Sequence, residues 1–225
     1  MMNMAIIPAR GGSKGIAKKN LKILGDKPLI AHSIIDAQEA KLVDQVYVTT
    51  DDLEIASVSR EYGAEVIQRP PELATDTASS EKALFHAVSE IEESGINSEL
   101  IVFLQCTSPL RTGLDIDRAI AQIRAEKADS LLSVSPSHRF LWHQVDGVAK
   151  SINYDYHSRP RRQDMNPQYM ENGSIYIFKP WVLKKFKNRL GGKISLFVMN
   201  EDQSWEIDSL EDFEYVEFLM KRSHL

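Results

Sequence analysis

Two stretches of this 225-residue chain carry the residue types that handle phosphate and a divalent cation, and they lie at opposite ends of it. The first is Arg10-Gly11-Gly12-Ser13-Lys14-Gly15, followed by Lys18 and Lys19. Three glycines let the backbone reach positive φ and turn its N–H groups towards one point, an anion-binding nest to which the Arg and Lys side chains add full charges. A polyphosphate suits such a loop. It is not a Walker loop, because no Gly-Lys-Ser/Thr triplet is present, and not a dinucleotide fingerprint, because Gly-x-Gly-x-x-Gly is absent. The same residues also read as a glycine turn with solvated lysines, and the loop by itself leaves both readings open.

The second stretch is residues 199–218, with eight acids and no Lys or Arg. Most of these acids fit the wet face and first turn of a terminal helix, where negative charge complements the helix dipole. Glu206 and Asp208 differ. They flank Ile207, and an extended x-Ile-x segment places both carboxylates on one side and Ile207 on the other. Paired hard oxygens facing a phosphate loop suit Mg²⁺, with Mn²⁺ as its substitute. An Asp208 helix cap beside a solvated Glu206 explains the same spacing.

These groups need a scaffold, and the apolar pattern supplies one. Short apolar runs at Ala5–Pro8, Gln45–Thr49, Ala64–Ile67, Leu100–Gln105 and Leu131–Val134 read as strands. Ile30, Ile34 and Ala37, then Leu84, Ala87, Val88 and Ile91, then Ile116, Ala119, Ile120 and Ile123 fall at helical spacing. Alternating β and α segments with Val/Ile/Leu-rich strands predict a mainly parallel sheet in a three-layer α/β/α sandwich. In such a sheet the ligand lies beyond the carboxyl ends of the strands. The polar segments Arg10–Gly15, Thr49–Asp52, Arg69–Glu72 and Gln105–Arg111 fall there. From about Pro136 to Met170 the apolar spacing is irregular and the stretch is rich in His and Arg, so 136–170 reads as an excursion from a single domain spanning 1–225. Gly173–Lys179 and Ile194–Met199 are expected as further strands, and a last helix is expected to turn Leu210, Phe213, Val216 and Met220 inward.

Composition excludes several classes. With 43% hydrophobic and 26% charged residues, the chain is neither disordered nor collagen-like. One cysteine, Cys106, makes no internal disulfide and no thiolate zinc site, so a reducing compartment is expected. The balance of 27 basic against 32 acidic residues, 27 − 32 = −5, argues against a nucleic-acid partner. No apolar run is long enough to cross a membrane and none has a signal-peptide core, so a cytoplasmic location is expected. The sum hides a segregation: residues 1–30 hold six Lys or Arg against one Asp.

Taken in order, Ile6-Ile7-Pro8-Ala9-Arg10-Gly11-Gly12-Ser13-Lys14-Gly15, Lys19-Asn20, Arg69-Pro70, Asp76-Thr77-Ala78-Ser79-Ser80, Gln105-Cys106-Thr107-Ser108-Pro109-Leu110-Arg111, Asn172-Gly173-Ser174-Ile175-Tyr176-Ile177 and Ile207-Asp208 resemble the acylneuraminate cytidylyltransferases, the CMP-sialic acid synthetases. The resemblance implies a nucleotidyltransferase-like fold and transfer of CMP from CTP to a nine-carbon 2-keto sugar acid, releasing pyrophosphate. By position it implies that Arg10, Lys19 and Asp208 are catalytic. It puts CTP against Arg10, Gly11, Gly12, Ser13, Lys14, Lys19, Asn20, Arg69 and Ser80, the sugar against Gln105, Arg162 and Gln163, and the metal at Asp208 and Glu206. It further implies a homodimer whose 136–170 excursion reaches the neighbouring subunit's site. His138 and His143 are weaker sugar-side candidates. The sequence departs from the family at Ala17 and Cys106, where proline is usual, and at Glu206, where aspartate is usual. Two other readings remain: a CMP-Kdo synthetase-like enzyme, against which the Gly11–Gly15 loop and Gln105 speak, and a non-catalytic nucleotide-binding regulatory module.

Overall fold

In the computed structural model, which describes residues 2–12 and 15–223, the chain runs β1 (Met2–Pro8), β2 (Ile23–Leu24), β3 (Lys27–Pro28), α1 (Leu29–Glu39), β4 (Gln45–Thr50), α2 (Leu53–Glu61), β5 (Glu65–Gln68), α3 (Ser80–Glu93), β6 (Ser98–Leu104) and α4 (Gly113–Ala125). It continues through β7 (Ser130–Pro136), β8 (Trp142–Val145), β9 (Val148–Ser151), β10 (Tyr169–Phe178), α5 (Pro180–Phe186), β11 (Ile194–Val198) and α6 (Leu210–Ser223). Seven strands form one sheet in the order β11-β7-β10-β6-β1-β4-β5. All neighbours are parallel except β10, which runs antiparallel to both β6 and β7.

Side-chain alternation along each strand divides the core in two. Ala5 and Ile7 of β1 face one layer, where Ile30 and Ile34 of α1, Ile55 of α2, Ile116 and Ile120 of α4 and Val216 of α6 pack. Met4 and Ile6 face the other, against Leu84 and Val88 of α3 and Val182 and Leu183 of α5. The expected α/β/α sandwich is therefore present. Helix α2 has no clear counterpart in the apolar pattern, because its stripe is sparse; it is started instead by Asp52, whose carboxylate accepts from the N–H groups of Glu54 and Ile55 at 2.8 and 2.9 Å. In α6, Phe213 and Val216 are buried as expected, but Leu210 is 54% exposed. It is the first residue of the helix, and Leu219 is buried further along.

The parallel register brings the ends of β1, β4, β5 and β6 to one edge of the sheet. Because β10 is antiparallel, its beginning lies at that same edge, where Asn172 and Gly173 interrupt the pairing with β7 between Glu171 and Tyr176. Gly173 takes φ +66 there, the left-handed conformation a bulge demands. The excursion leaves at Pro136 and returns at Tyr169, residues paired with each other across β7 and β10. Within it, β8 and β9 form an exposed antiparallel hairpin through Asp146-Gly147, both at positive φ.

Candidate active site

The converging strand ends enclose a cleft of about 510 Å³. Arg10, Gly15, Lys19, Asn20, Arg69, Ser80, Gln105 and Asp208 all line it, so residues separated by up to two hundred positions in sequence share one wall. Ser13 and Lys14 lie outside the described residues.

Two of the loop glycines do not take the expected backbone conformation. Neither Gly11 nor Gly12 has positive φ. What Gly11 supplies is room: a Cβ there would lie 2.6 Å from Asp52 Oδ2, and its N–H donates to Asp51 Oδ1 at 3.1 Å, tying the loop after β1 to the loop after β4. At Gly15 a Cβ would lie 2.5 Å from the carbonyl oxygen of Asp208. Only glycine lets the basic loop approach the acidic segment this closely. The left-handed residue is instead Lys18, at φ 51, just before the 3-10 turn Lys19–Leu21 that aims Lys19 into the cleft.

Lys19 Nζ donates to the carbonyl of Ile207 at 2.8 Å and to Asp208 Oδ1 at 3.2 Å. Arg10 Nη1 reaches across the mouth to the carbonyl of Thr75 at 3.1 Å and the carboxylate of Asp76 at 3.0 Å. Its side chain stays 32% exposed where it lines the cleft. Asn20 is buried and donates to the carbonyl of Arg10 at 3.2 Å. Arg69, only 4% exposed, donates from Nη2 to the carbonyl of Thr49 at 2.6 Å. Burial pushes its pKa down, with Arg10 pushing the same way and Asp51 opposing. An arginine starts so far above neutral pH that it keeps its charge.

Of the expected x-Ile-x pattern, the inward turn of Ile207 is present, and Asp208 but not Glu206 lines the cleft. Ile207 is fully buried and donates its N–H to the carbonyl of Thr107 at 2.8 Å, which fastens this segment to the loop after β6. Burying one isoleucine is worth roughly 1.5–3 kcal/mol, enough to anchor its neighbours. Asp208 is not the helix cap. Ser209 and Asp212 form a reciprocal capping box: the Ser209 N–H donates to Asp212 Oδ2 at 2.8 Å and the Asp212 N–H to Ser209 Oγ at 3.1 Å. The Asp208 side chain stays 78% exposed on the cleft wall. Glu206 points towards Gly173, where a Cβ would meet its Oε1 at 1.7 Å. Its pKa is raised by burial first, then by the charges of Asp208 and Glu171.

Gln105 follows β6 at the cleft floor, beside Cys106, whose thiol is buried and pushed up to about 12 by that burial. Such a thiol is inert at neutral pH. Arg162 and Gln163 do not join this cleft. Arg162 lines a second cavity of about 800 Å³ with His138, Arg139, Trp205 and Tyr215, and Gln163 is exposed on the short turn Arg162–Asp164. His143 lies exposed on β8. In a single chain, then, the excursion residues sit apart from Arg10 and Lys19.

Sequence reasoning missed Thr75 and Phe103 as cleft wall, and it quoted Asp76 and Arg111 within motifs without giving them their roles as cleft wall and buried support. Arg111 Nη1 donates to the carbonyls of Gln105 at 3.1 Å and Ser174 at 3.4 Å, joining the ends of β6 and β10. An arginine closing the Ser108-Pro109-Leu110-Arg111 run after a buried strand was the available signal.

The comparisons with known proteins agree with this geometry. A cytidylyltransferase family model matches residues 4–223. The chain is 34% identical to post-translational flagellin modification protein B of Campylobacter coli, over 99% of this chain and 96% of that protein. It is 34% identical to the N-acylneuraminate cytidylyltransferase of Oncorhynchus mykiss over 91% of this chain and 47% of that one. The Escherichia coli enzyme of the same name is 33% identical over 94% and 50%. The chain thus spans about half the length of these N-acylneuraminate cytidylyltransferases. Among solved structures, a CMP:2-keto-3-deoxy-manno-octonic acid synthetase complexed with CTP superposes with TM-score 0.75 at 18% identity, covering 99% of this chain and 100% of that one. A 4-diphosphocytidyl-2C-methyl-D-erythritol synthase gives 0.71 at 14%, covering 97% and 99%. The fold is therefore nucleotidyltransferase-like, and by its sequence the chain belongs to the cytidylyltransferase family.

Proposed function

We propose that this protein transfers CMP from CTP to the anomeric hydroxyl of a nine-carbon 2-keto sugar acid such as N-acetylneuraminate, legionaminate or pseudaminate, releasing pyrophosphate. The observation that carries the reading is the convergence of Arg10, Lys19, Asn20, Arg69, Ser80 and Asp208 on one cleft at the carboxyl edge of the sheet. The names of the curated relatives support a sialic-acid-type substrate, and Gln105 at the cleft floor supports it over an eight-carbon acid.

Both reactants are anions, so the site must supply fixed positive charge and orientation more than covalent chemistry. Arg10 and Lys19 would hold the phosphates, each already pinned by a backbone carbonyl, at Thr75 and Ile207, and so would spend little entropy on binding. Asn20, held on the Arg10 carbonyl, and Arg69, held on Thr49, would line the nucleoside side with Ser80. Gln105 would meet the sugar acid.

The acidic pair fits a divalent cation. Asp208 is exposed at the cleft wall, and the Glu206 carboxyl, raised first by burial, is raised further by the Asp208 charge, which a cation would offset. Among the described residues no group of three or more His, Cys, Asp and Glu side chains could hold a metal, so the pair would need phosphate oxygens and water to complete the shell. When bound, Mg²⁺ would polarise the phosphate under attack.

The separate placement of Arg162 supports a site shared between two subunits, and so does the exposed apolar surface of the excursion, which includes Leu141, Trp142, Val148, Ile152 and Tyr156. A cytoplasmic location remains part of the proposal; among the described residues no helix is long and apolar enough to cross a membrane. The deciding experiment is pyrophosphate release from CTP with a panel of N-acetylneuraminate, legionaminate, pseudaminate and Kdo. Turnover with a nine-carbon acid supports the reading; turnover with Kdo alone, or CTP binding with no turnover, overturns it.

A further inference from the structure

Behind Ser80, which lines the cleft, lies a largely buried charged pair that hydrogen-bonds to the Ser80 hydroxyl. Arg189, in the loop after α5, lays its guanidinium over Phe103 and Tyr176, 4.5 and 4.6 Å from the ring centres. Its Nε and Nη2 donate to Glu81 Oε1 at 3.0 and 2.7 Å, and Nη2 also donates to Ser80 Oγ at 2.6 Å. The Ser80 hydroxyl in turn donates to Glu81 Oε2 at 3.1 Å. The Arg189 and Glu81 side chains are only 13% and 23% exposed. The loop is itself fixed, by the Leu190 N–H on Asn188 Oδ1 at 2.8 Å and the Gly191 N–H on Ser130 Oγ at 3.0 Å. Arg189 Nη1 is buried without a hydrogen-bond partner, so the stacked rings and Glu81 hold the guanidinium.

The hydrogen bonds of this cluster run in one direction. A hydroxyl has one hydrogen and two acceptor sites. Here the hydrogen is committed to Glu81, and one acceptor site is filled by Arg189. Burial pushes the Glu81 carboxyl up, but the charge and hydrogen bonds of Arg189 overcome it and keep the group below its ordinary value, so Glu81 is ionised and only accepts. A guanidinium only donates. Neither partner can exchange roles, and the remaining lone pair of Ser80 is left for the cleft that Ser80 lines. A ligand N–H satisfies it; a ligand carbonyl would meet lone pair against lone pair.

We propose that Glu81 and Arg189 lock the Ser80 hydroxyl as an acceptor, and that this lock makes the nucleotide pocket select cytosine, with its exocyclic amine, over uracil, with a carbonyl at the same place. The proposal rests on the nucleotide reading above and adds two positioning residues to it. Equilibrium binding of CTP and UTP to the full chain in Mg²⁺, by calorimetry, tests it without knowledge of the sugar acid. The wild type should bind CTP more tightly than UTP by about tenfold or more, the worth of one hydrogen bond made against one opposed. Glu81→Leu frees the hydroxyl to donate and should bring the two affinities to within a few fold. Because Glu81→Leu strands a buried arginine, the double variant Glu81→Met with Arg189→Met, which leaves no unpaired charge, is measured beside it, with circular dichroism checking the fold. Arg189→Lys should keep most of the selectivity. A CTP-to-UTP ratio unchanged in the folded Glu81 variants, even where both affinities fall, overturns the lock, as does a wild type that binds the two equally. A wild type that binds neither nucleotide overturns the nucleotide reading itself.

Discussion

Asp208→Ala separates a structural role from a catalytic one, because the surroundings of the carboxylate set the structural cost in advance. Its side chain is 78% exposed, and its ion pair with Lys19 at 3.2 Å is open to solvent on that side. Exposed pairs of this kind contribute about 0–1 kcal/mol. Lys19 keeps the Ile207 carbonyl at 2.8 Å as a partner after the substitution. The Asp208 backbone, with its N–H on Asp212 Oδ2 at 3.0 Å, is unchanged by it. For a chain of this size the melting temperature should therefore fall by no more than about 2–4 °C. If the same carboxylate helps hold the cation at the phosphates, turnover should fall by about a hundredfold to a thousandfold, roughly 2.7–4 kcal/mol of transition-state stabilisation. Residual activity should also require more Mg²⁺. The measurements are thermal unfolding by circular dichroism and pyrophosphate release from CTP and N-acetylneuraminate across a Mg²⁺ titration. Unchanged turnover with an unchanged Mg²⁺ midpoint refutes the cation assignment. A fall in melting temperature of about ten degrees or more would instead show that Asp208 holds the fold.

Arg10→Ala should lower turnover by about tenfold to a thousandfold while moving the melting temperature little, since its pair with Asp76 is half exposed; near-normal rates would remove Arg10 from the phosphates. Mixing inactive Arg10→Ala and Arg162→Ala proteins should restore activity in heterodimers, and no recovery after proven subunit exchange would reject a shared site. Asp36 gives a stability prediction. Its carboxyl is raised to about 7 by burial, which outweighs the opposing charge of Arg111. A carboxyl that binds its proton more tightly when folded contributes stability that is full below about pH 4, its unfolded pKa, and is lost as pH rises through about 7. Relative to wild type, Asp36→Asn should therefore flatten the unfolding free energy between about pH 4 and 8; two parallel curves would refute the assignment.

Much of this molecule is readable before it folds, for physical reasons. Buried strands and amphipathic helices must show their periods, so β1, β4, β6, α1, α3 and α4 stand out in the apolar pattern. Helix α2 does not, because it buries few apolar side chains and depends on the Asp52 cap for its start. The β8–β9 hairpin had a usable signal in Asp146-Gly147, a dipeptide suited to two successive positive φ values. Exposure of nearly every hairpin residue removed the alternation that would have supported it.

The sequence alone determined which chemistry is available: a basic glycine loop, an acidic terminal stretch with Glu206 and Asp208 flanking an apolar residue, and polar segments after each strand. Only the tertiary structure decided how these meet. Parallel pairing carries the loop after β1 to the same edge as the segment before α6, and the missing Cβ of Gly15 lets the Asp208 carbonyl pack against it. The chain's segregated charges thereby become neighbours, Lys19 and Asp208, from positions 189 residues apart. Tertiary structure also gave the α6 cap, which spacing left open, to Ser209 and Asp212, and it made Gly11 and Gly15 residues that leave room for Asp52 and for the Asp208 carbonyl. Such distinctions depend on distances between atoms far apart in sequence, and no local pattern encodes them.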